Sequence, residues 1–134
     1  MEVSSLKGGP TDRPLDNEER KLLRRKVGQL NWAATQSRPD ISFPVVEIST
    51  KFKQPALADL KQVNKTITKI KSTPSKLFYP RLKGDLKIIT YSDASFRNLP
   101  NQISSAGGHV IFIADQNNNL APIGWSSNKI KRVV

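Results

Sequence analysis

Apolar residues recur with two different periods along this chain. Between residues 16 and 73 they return every three or four positions, as on one face of a helix, and beyond residue 77 they gather in short β-rich runs. Asp16 can cap the first helix and Glu19 can complete a capping box. Leu23, Val27, Leu30 and Ala34 then form one stripe, opposite Lys21, Arg24, Arg25 and Lys26. Ser37-Arg38-Pro39-Asp40 breaks the helix, because a residue before proline is pushed out of the α region, and Asp40 is expected to cap the next one. Ile41, Val45, Ile48 and Phe52 make the second stripe, with Pro44 in a first turn where a missing N–H costs least. The third helix is expected to open at Pro55. Its stripe is Leu57, Leu60, Val63, Ile67 and Ile70, and Lys61, Lys65 and Lys69 repeat along the opposite face.

Thr73-Pro74 and Gly84-Asp85 are breaks, with a short strand possible at residues 77–79. Strands are expected at about 86–91, 107–114 and 120–126, the first two joined through a polar loop holding Asn98, Pro100 and Asn101 and the last two through a turn at 115–119. Short connections favour an antiparallel meander. The fold class is therefore α+β, about three helices followed by three strands. Residues 1–15, with two glycines, two prolines and no period, read as a disordered lead-in; 16–73 form the helical segment and 74–134 the β segment. No internal repeat is present.

The 134 residues suit one domain, or a small domain with part of a neighbour. At 37% hydrophobic the chain is too apolar to be disordered throughout. No run approaches the roughly 20 apolar residues of a membrane span, and no signal-peptide pattern stands at the start, so an intracellular, non-membrane protein is expected. The absence of cysteine removes disulfides and thiolate chemistry, and a single histidine, His109, removes the common zinc sites and most nucleophilic triads. The net charge of +11 favours a polyanionic partner, nucleic acid being the commonest. The lysine row and Arg24 and Arg25 are the candidate phosphate contacts; a solvated helix face is the alternative reading for the lysines.

Asp93 is the sharpest chemical signal, a lone carboxylate where the run Leu86-Lys-Ile-Ile-Thr-Tyr-Ser-Asp93 surfaces. The only acidic residue after it is Asp115, placed in the turn at the far end of the strands. His109 lacks a second ligand or a nucleophile at suitable spacing and reads as structural or surface. Gly107-Gly108 reads as a strand start or bulge. Trp32 and Trp125 border apolar runs, which points to core packing, with base stacking as the alternative. Arg38 and Asp40 can form a local pair.

The segment from Val27 to Phe43, Val-Gly-Gln-Leu-Asn-Trp-Ala-Ala-Thr-Gln-Ser-Arg-Pro-Asp-Ile-Ser-Phe, resembles the region beyond the polymerase palm in copia-type LTR retrotransposon polyproteins. Tyr91-Ser-Asp-Ala-Ser-Phe96, Ser104-Ser-Ala-Gly-Gly108 and Ile123-Gly-Trp-Ser-Ser127 are similar to successive pieces of the ribonuclease H domain that follows it there. The resemblance covers about residues 16–134, and it implies the end of a reverse transcriptase region joined to the start of a ribonuclease H-like fold.

That resemblance implies that Asp93 is the first metal ligand of a centre that in the complete family site holds Mg²⁺ with about four carboxylates, a surface carboxylate closing a strand being the alternative reading. The polymerase's paired aspartates have no counterpart, since no two aspartates adjoin, and the ribonuclease H centre is incomplete. No cofactor is firmly expected. The isolated chain is expected to lack autonomous catalysis, with an RNA–DNA hybrid or another nucleic acid as a possible partner. A second hypothesis is a non-catalytic basic nucleic-acid-binding module derived from a retroelement, and a third is an unrelated basic α+β protein such as a ribosome-associated one. In complete ribonuclease H folds the first strand is central, so here its edge is expected to stand open, with marginal stability or self-association of the isolated chain as the outcome.

Overall fold

The first helix begins with a reciprocal pair of hydrogen bonds. Asp16 Oδ1 accepts from the Glu19 N–H at 2.9 Å and Glu19 Oε2 accepts from the Asp16 N–H at 3.0 Å, which satisfies two donors that helix geometry leaves unpaired. In the computed structural model, which describes residues 6–95 and 105–130, this helix, α1, runs Asn17–Gln36. A 3-10 turn at Pro39–Ile41 leads into α2 (Ser42–Ser49), and α3 spans Leu57–Ser72. Three strands follow, β1 (Lys87–Ser95), β2 (Ser105–Ala114) and β3 (Leu120–Ile130). The chain divides into two units, Met1–Ser75 and Lys76–Val134. The polar loop expected around Asn98, Pro100 and Asn101 lies outside the described residues.

Within the helical unit the three stripes meet. Leu23, Val27, Leu30 and Ala34 of α1 are buried with Ile41, Val45 and Ile48 and with Leu57, Leu60, Val63 and Ile67 of α3, while Phe52 and Ile70 pack at the margin. Each such aliphatic side chain contributes about 1.5–3 kcal/mol on burial.

Two helix starts differ from expectation. Asp40 does not cap α2, whose N-cap is Ile41 without a side-chain hydrogen bond. Its carboxylate instead takes both arms of Arg38, at 2.8 and 2.9 Å. Arg38 is buried and also donates from Nη1 to the carbonyl of Ile70 at 3.1 Å, placing a cation on one of the unpaired carbonyls at the end of α3. The third helix starts at Leu57 rather than Pro55. Ala56 is held extended in a bridge to Pro14, and the Asp59 carboxylate accepts from its N–H at 2.8 Å.

Residues 6–15, expected to be a disordered lead-in, are fastened to this unit. Leu15 is buried, Leu15 N–H donates to the Pro55 carbonyl at 3.1 Å, and Leu57 N–H donates to the Arg13 carbonyl at 2.9 Å. Arg13 grips both oxygens of Glu19, at 2.8 and 3.0 Å. Residues 1–5 lie outside the described residues.

The sheet has the order β1-β2-β3, antiparallel throughout, with Asp93 opposite Gly108 and Val110 opposite Trp125. The strands outrun their apolar alternation, because a paired strand extends through small polar residues such as Ser92 and Ser127 as long as its backbone finds a ladder. Residues 77–79 form no strand. They sit between Pro74 and Pro80, which cannot donate, and Phe78 and Tyr79 are exposed. The bulge lies not at Gly107-Gly108 but on β3, where Ile111 faces Gly124 while Phe112 faces Pro122, leaving Ile123 over.

Leu60→Ala should destabilise the helical unit by about 2–5 kcal/mol in urea denaturation followed by circular dichroism; a loss well under 1 kcal/mol would contradict the assigned core. The Arg13 guanidinium, and after it the Asp16 N–H, hold the Glu19 carboxyl below its ordinary range. A carboxylate lowered in the fold gives stability that is present above its unfolded pKa and is lost as pH falls through the folded one. Glu19→Gln should therefore flatten the loss of stability on acidification below about pH 4, and an unchanged acid profile would refute that link.

Candidate functional site

β1 carries Asp93 to the far end of the sheet from the 115–119 turn. Its side chain is exposed, and Oδ1 accepts from the Ala94 N–H at 2.8 Å. Gly108 stands directly opposite, so no side chain from β2 crowds it. His109 pairs with Ser92, one residue away, and therefore projects from the other sheet face. It meets Ser126 Oγ at 3.3 Å and has no geometry for joint chemistry with Asp93.

Asp115 lies seven residues beyond Gly108 in the strand direction, a separation of roughly 20 Å from the Asp93 end. Its carboxylate is a structural acceptor. It is 1% exposed and receives the N–H groups of Asn117 and Asn119 at 2.9 and 3.0 Å, the Asn119 side-chain amide at 3.0 Å and the Lys83 N–H at 3.2 Å. The Asn119 amide, and after it the backbone donors, lower its pKa. Asn118 takes the left-handed conformation that this turn requires, with φ of 59°. Gly84, with φ of 73°, packs so close to the Gln116 side chain that a Cβ there would approach to 2.7 Å. Residues 83–84 are thus sealed onto the turn.

Among the described residues no group of three or more His, Cys, Asp or Glu side chains is placed to hold a metal ion. A two-cation centre of the kind implied by the resemblance needs several converging carboxylates, and the described residues do not gather them.

The cations are distributed differently. Lys61, Lys65 and Lys69 are all exposed on α3, and none takes part in an ion pair among the described residues. The only carboxylate of α3, Asp59, is buried and turned to Ala56 and to Lys51 at 3.2 Å. The charges on the exposed face of this helix are therefore all positive, with Lys69 lying near enough to Asp40 to help lower its pKa, after the larger effect of Arg38. On α1 the two arginines diverge. Arg24 leans over Phe52, 5.9 Å from the ring centroid, at the rim of a groove of about 320 Å³ lined by Val27, Val45 and Phe52. Arg25 points to solvent.

Trp32, expected in the core, is 68% exposed. It follows Leu23 by nine residues, which at 100° each is half a turn from the buried stripe, so the stripe's own period assigns it to the outside. Trp125 is partly buried on the sheet. The signal for Asp115 was equally local: Asp-Gln-Asn-Asn-Asn is rich in residues that bond their own backbone two positions on.

Over 108 residues, 81% of its length, the chain is 33% identical to a Ty5-1 transposon protein of Saccharomyces cerevisiae. Over the same length it is 29% identical to the retrovirus-related Pol polyprotein from transposon RE1 of Arabidopsis thaliana. Its homologues are retrotransposon proteins. The retrotransposon-related chain spans about a third of the yeast protein and 7% of the plant polyprotein. No family model matches it and no solved structure does. No helix among the described residues is long and apolar enough to cross a membrane.

Asp115→Ala should leave several donors at the turn unanswered and lower the unfolding midpoint of the sheet unit, read from tryptophan emission of Trp125 in a Trp32→Phe background. An unaltered midpoint would show that the turn holds without this carboxylate.

Proposed function

We propose that this retroelement-derived chain holds nucleic acid through its helical unit and does not itself cut it. The observation that carries this reading is the α3 face, where Lys61, Lys65 and Lys69 rise in steps of about 6 Å with no exposed acid between them. A row of unpaired cations along a straight rod releases counterions when it meets a phosphate backbone, so affinity comes without sequence readout. Arg25 on α1 adds to the cationic surface of the same unit.

Asp93 supports the second half of the proposal. Its position near the end of the first strand would suit the first ligand of a metal centre if the sheet is the start of a ribonuclease H-like fold. With no cluster of acidic ligands around it among the described residues, it would offer Mg²⁺ one carboxylate and water, a weak set for a cation that parts reluctantly with its hydration shell. Further carboxylates would have to come from outside the described residues.

Anisotropy titrations of a labelled RNA–DNA hybrid over a salt series test the binding. The triple variant Lys61→Glu, Lys65→Glu, Lys69→Glu should lower affinity and reduce the slope of log K against log salt by about 2–3. The same slope in the variant would assign the row to a solvated face. The hybrid should stay intact in Mg²⁺ or Mn²⁺ through the titration, and robust cleavage would overturn the non-catalytic half independently.

A further inference from the structure

The two outer edges of the sheet are built differently. β3 carries Pro122, which cannot donate to a ladder, and the extra residue Ile123 that bends the strand. Both are devices that keep an exposed edge from recruiting another chain. β1 has neither. Its nine residues contain no glycine or proline and pair with β2 position for position without a shift. Ile88 is 71% exposed and Tyr91 59%, on opposite faces of the same strand.

The order of residues along β1 is also self-complementary. Its charges are Lys87 and Asp93 alone, and neither takes part in an ion pair among the described residues. An antiparallel copy of the strand related by a two-fold axis at Thr90 brings Lys87 opposite Asp93 twice. It also sets Ile89 opposite Tyr91 on one sheet face and Leu86 opposite Ala94 on the other. A shift of one residue in either direction loses the ion pairs.

We propose that a second copy of this chain pairs with the first along β1, about Thr90, to give a continuous six-stranded sheet. The ladder supplies backbone partners along the edge of β1 that pairs with no other strand among the described residues, and the two cross-strand ion pairs select the register. The arrangement is isologous, each copy giving and receiving the same contacts. The net charge of +11 per copy opposes association at low salt and is screened beyond about 8 Å at physiological ionic strength.

Sedimentation of the full 134-residue chain over a concentration series at physiological salt should show a monomer–dimer equilibrium. Lys87→Glu and Asp93→Lys should each weaken dimerisation about tenfold by facing like charges, and the two together should restore it. Thr90→Cys, the only thiol in a chain without cysteine, should form a disulfide-linked dimer on mild oxidation, since directly opposed residues lie about 4.5–5.5 Å apart at Cα. Ser127→Cys on β3 should not. A wild-type monomer at every concentration, charge variants that associate unchanged, or equal cross-linking from Ser127→Cys would each overturn the proposal.

Discussion

The joint burial of three helical stripes fixes the rotation of every helix in the first unit, and the location of its cations depends on that. Once Leu23 and Leu30 are buried with Ile41, Leu60 and Ile67, the faces that α1 and α3 turn to water are set. Lys61, Lys65, Lys69 and Arg25 then face water because the stripes face each other. The placement of the basic surface is a by-product of core packing. Arg38 reinforces the arrangement, since one buried guanidinium ties the corner after α1 to the last turn of α3.

The sheet obeys a different constraint. With a period of two, every alternate residue of β1 and β2 serves one face, and here both faces are apolar: Ile88, Ile111 and Ile113 share one, Ile89, Val110, Phe112 and Tyr91 the other. The edge contact between the Tyr91 and Phe112 rings, 6.2 Å apart and nearly perpendicular, stiffens the second face without covering it. Among the described residues of this unit only Ala106, Ala114, Ala121 and Asp115 are buried, so their order rests on the ladder and on the polar turn more than on a core.

Helix faces and strand positions were legible in the sequence because burial imposes periods that residue types report directly. Every residue of the α1 stripe is buried, and each of the three main strands falls where β-rich runs stand between turn residues. What could not be read was decided by contacts between distant segments. Asp40 and Asp59 are both good capping residues locally, yet Arg38 claims the first, and the bridge from Pro14 to Ala56 sets where the second acts. The fastening of residues 6–15 depends on Arg13 reaching Glu19, a pairing that no local pattern announces. At the candidate site, Asp93 was legible as a lone carboxylate at a strand end, whereas the burial of Asp115 arises from donors gathered by a turn that also captures residues 83–84.

The irregularity at Ile123 reaches further than the geometry of β3. A sheet with two receptive borders can add chains at both sides and grow into a filament, as each newcomer offers a fresh template. In the pairing proposed above, the kinked border carrying Pro122 would be the poorer template, so addition would be favoured at β1 alone. An assembly formed through β1 alone would be closed after two copies, even though the strands are rich in isoleucine.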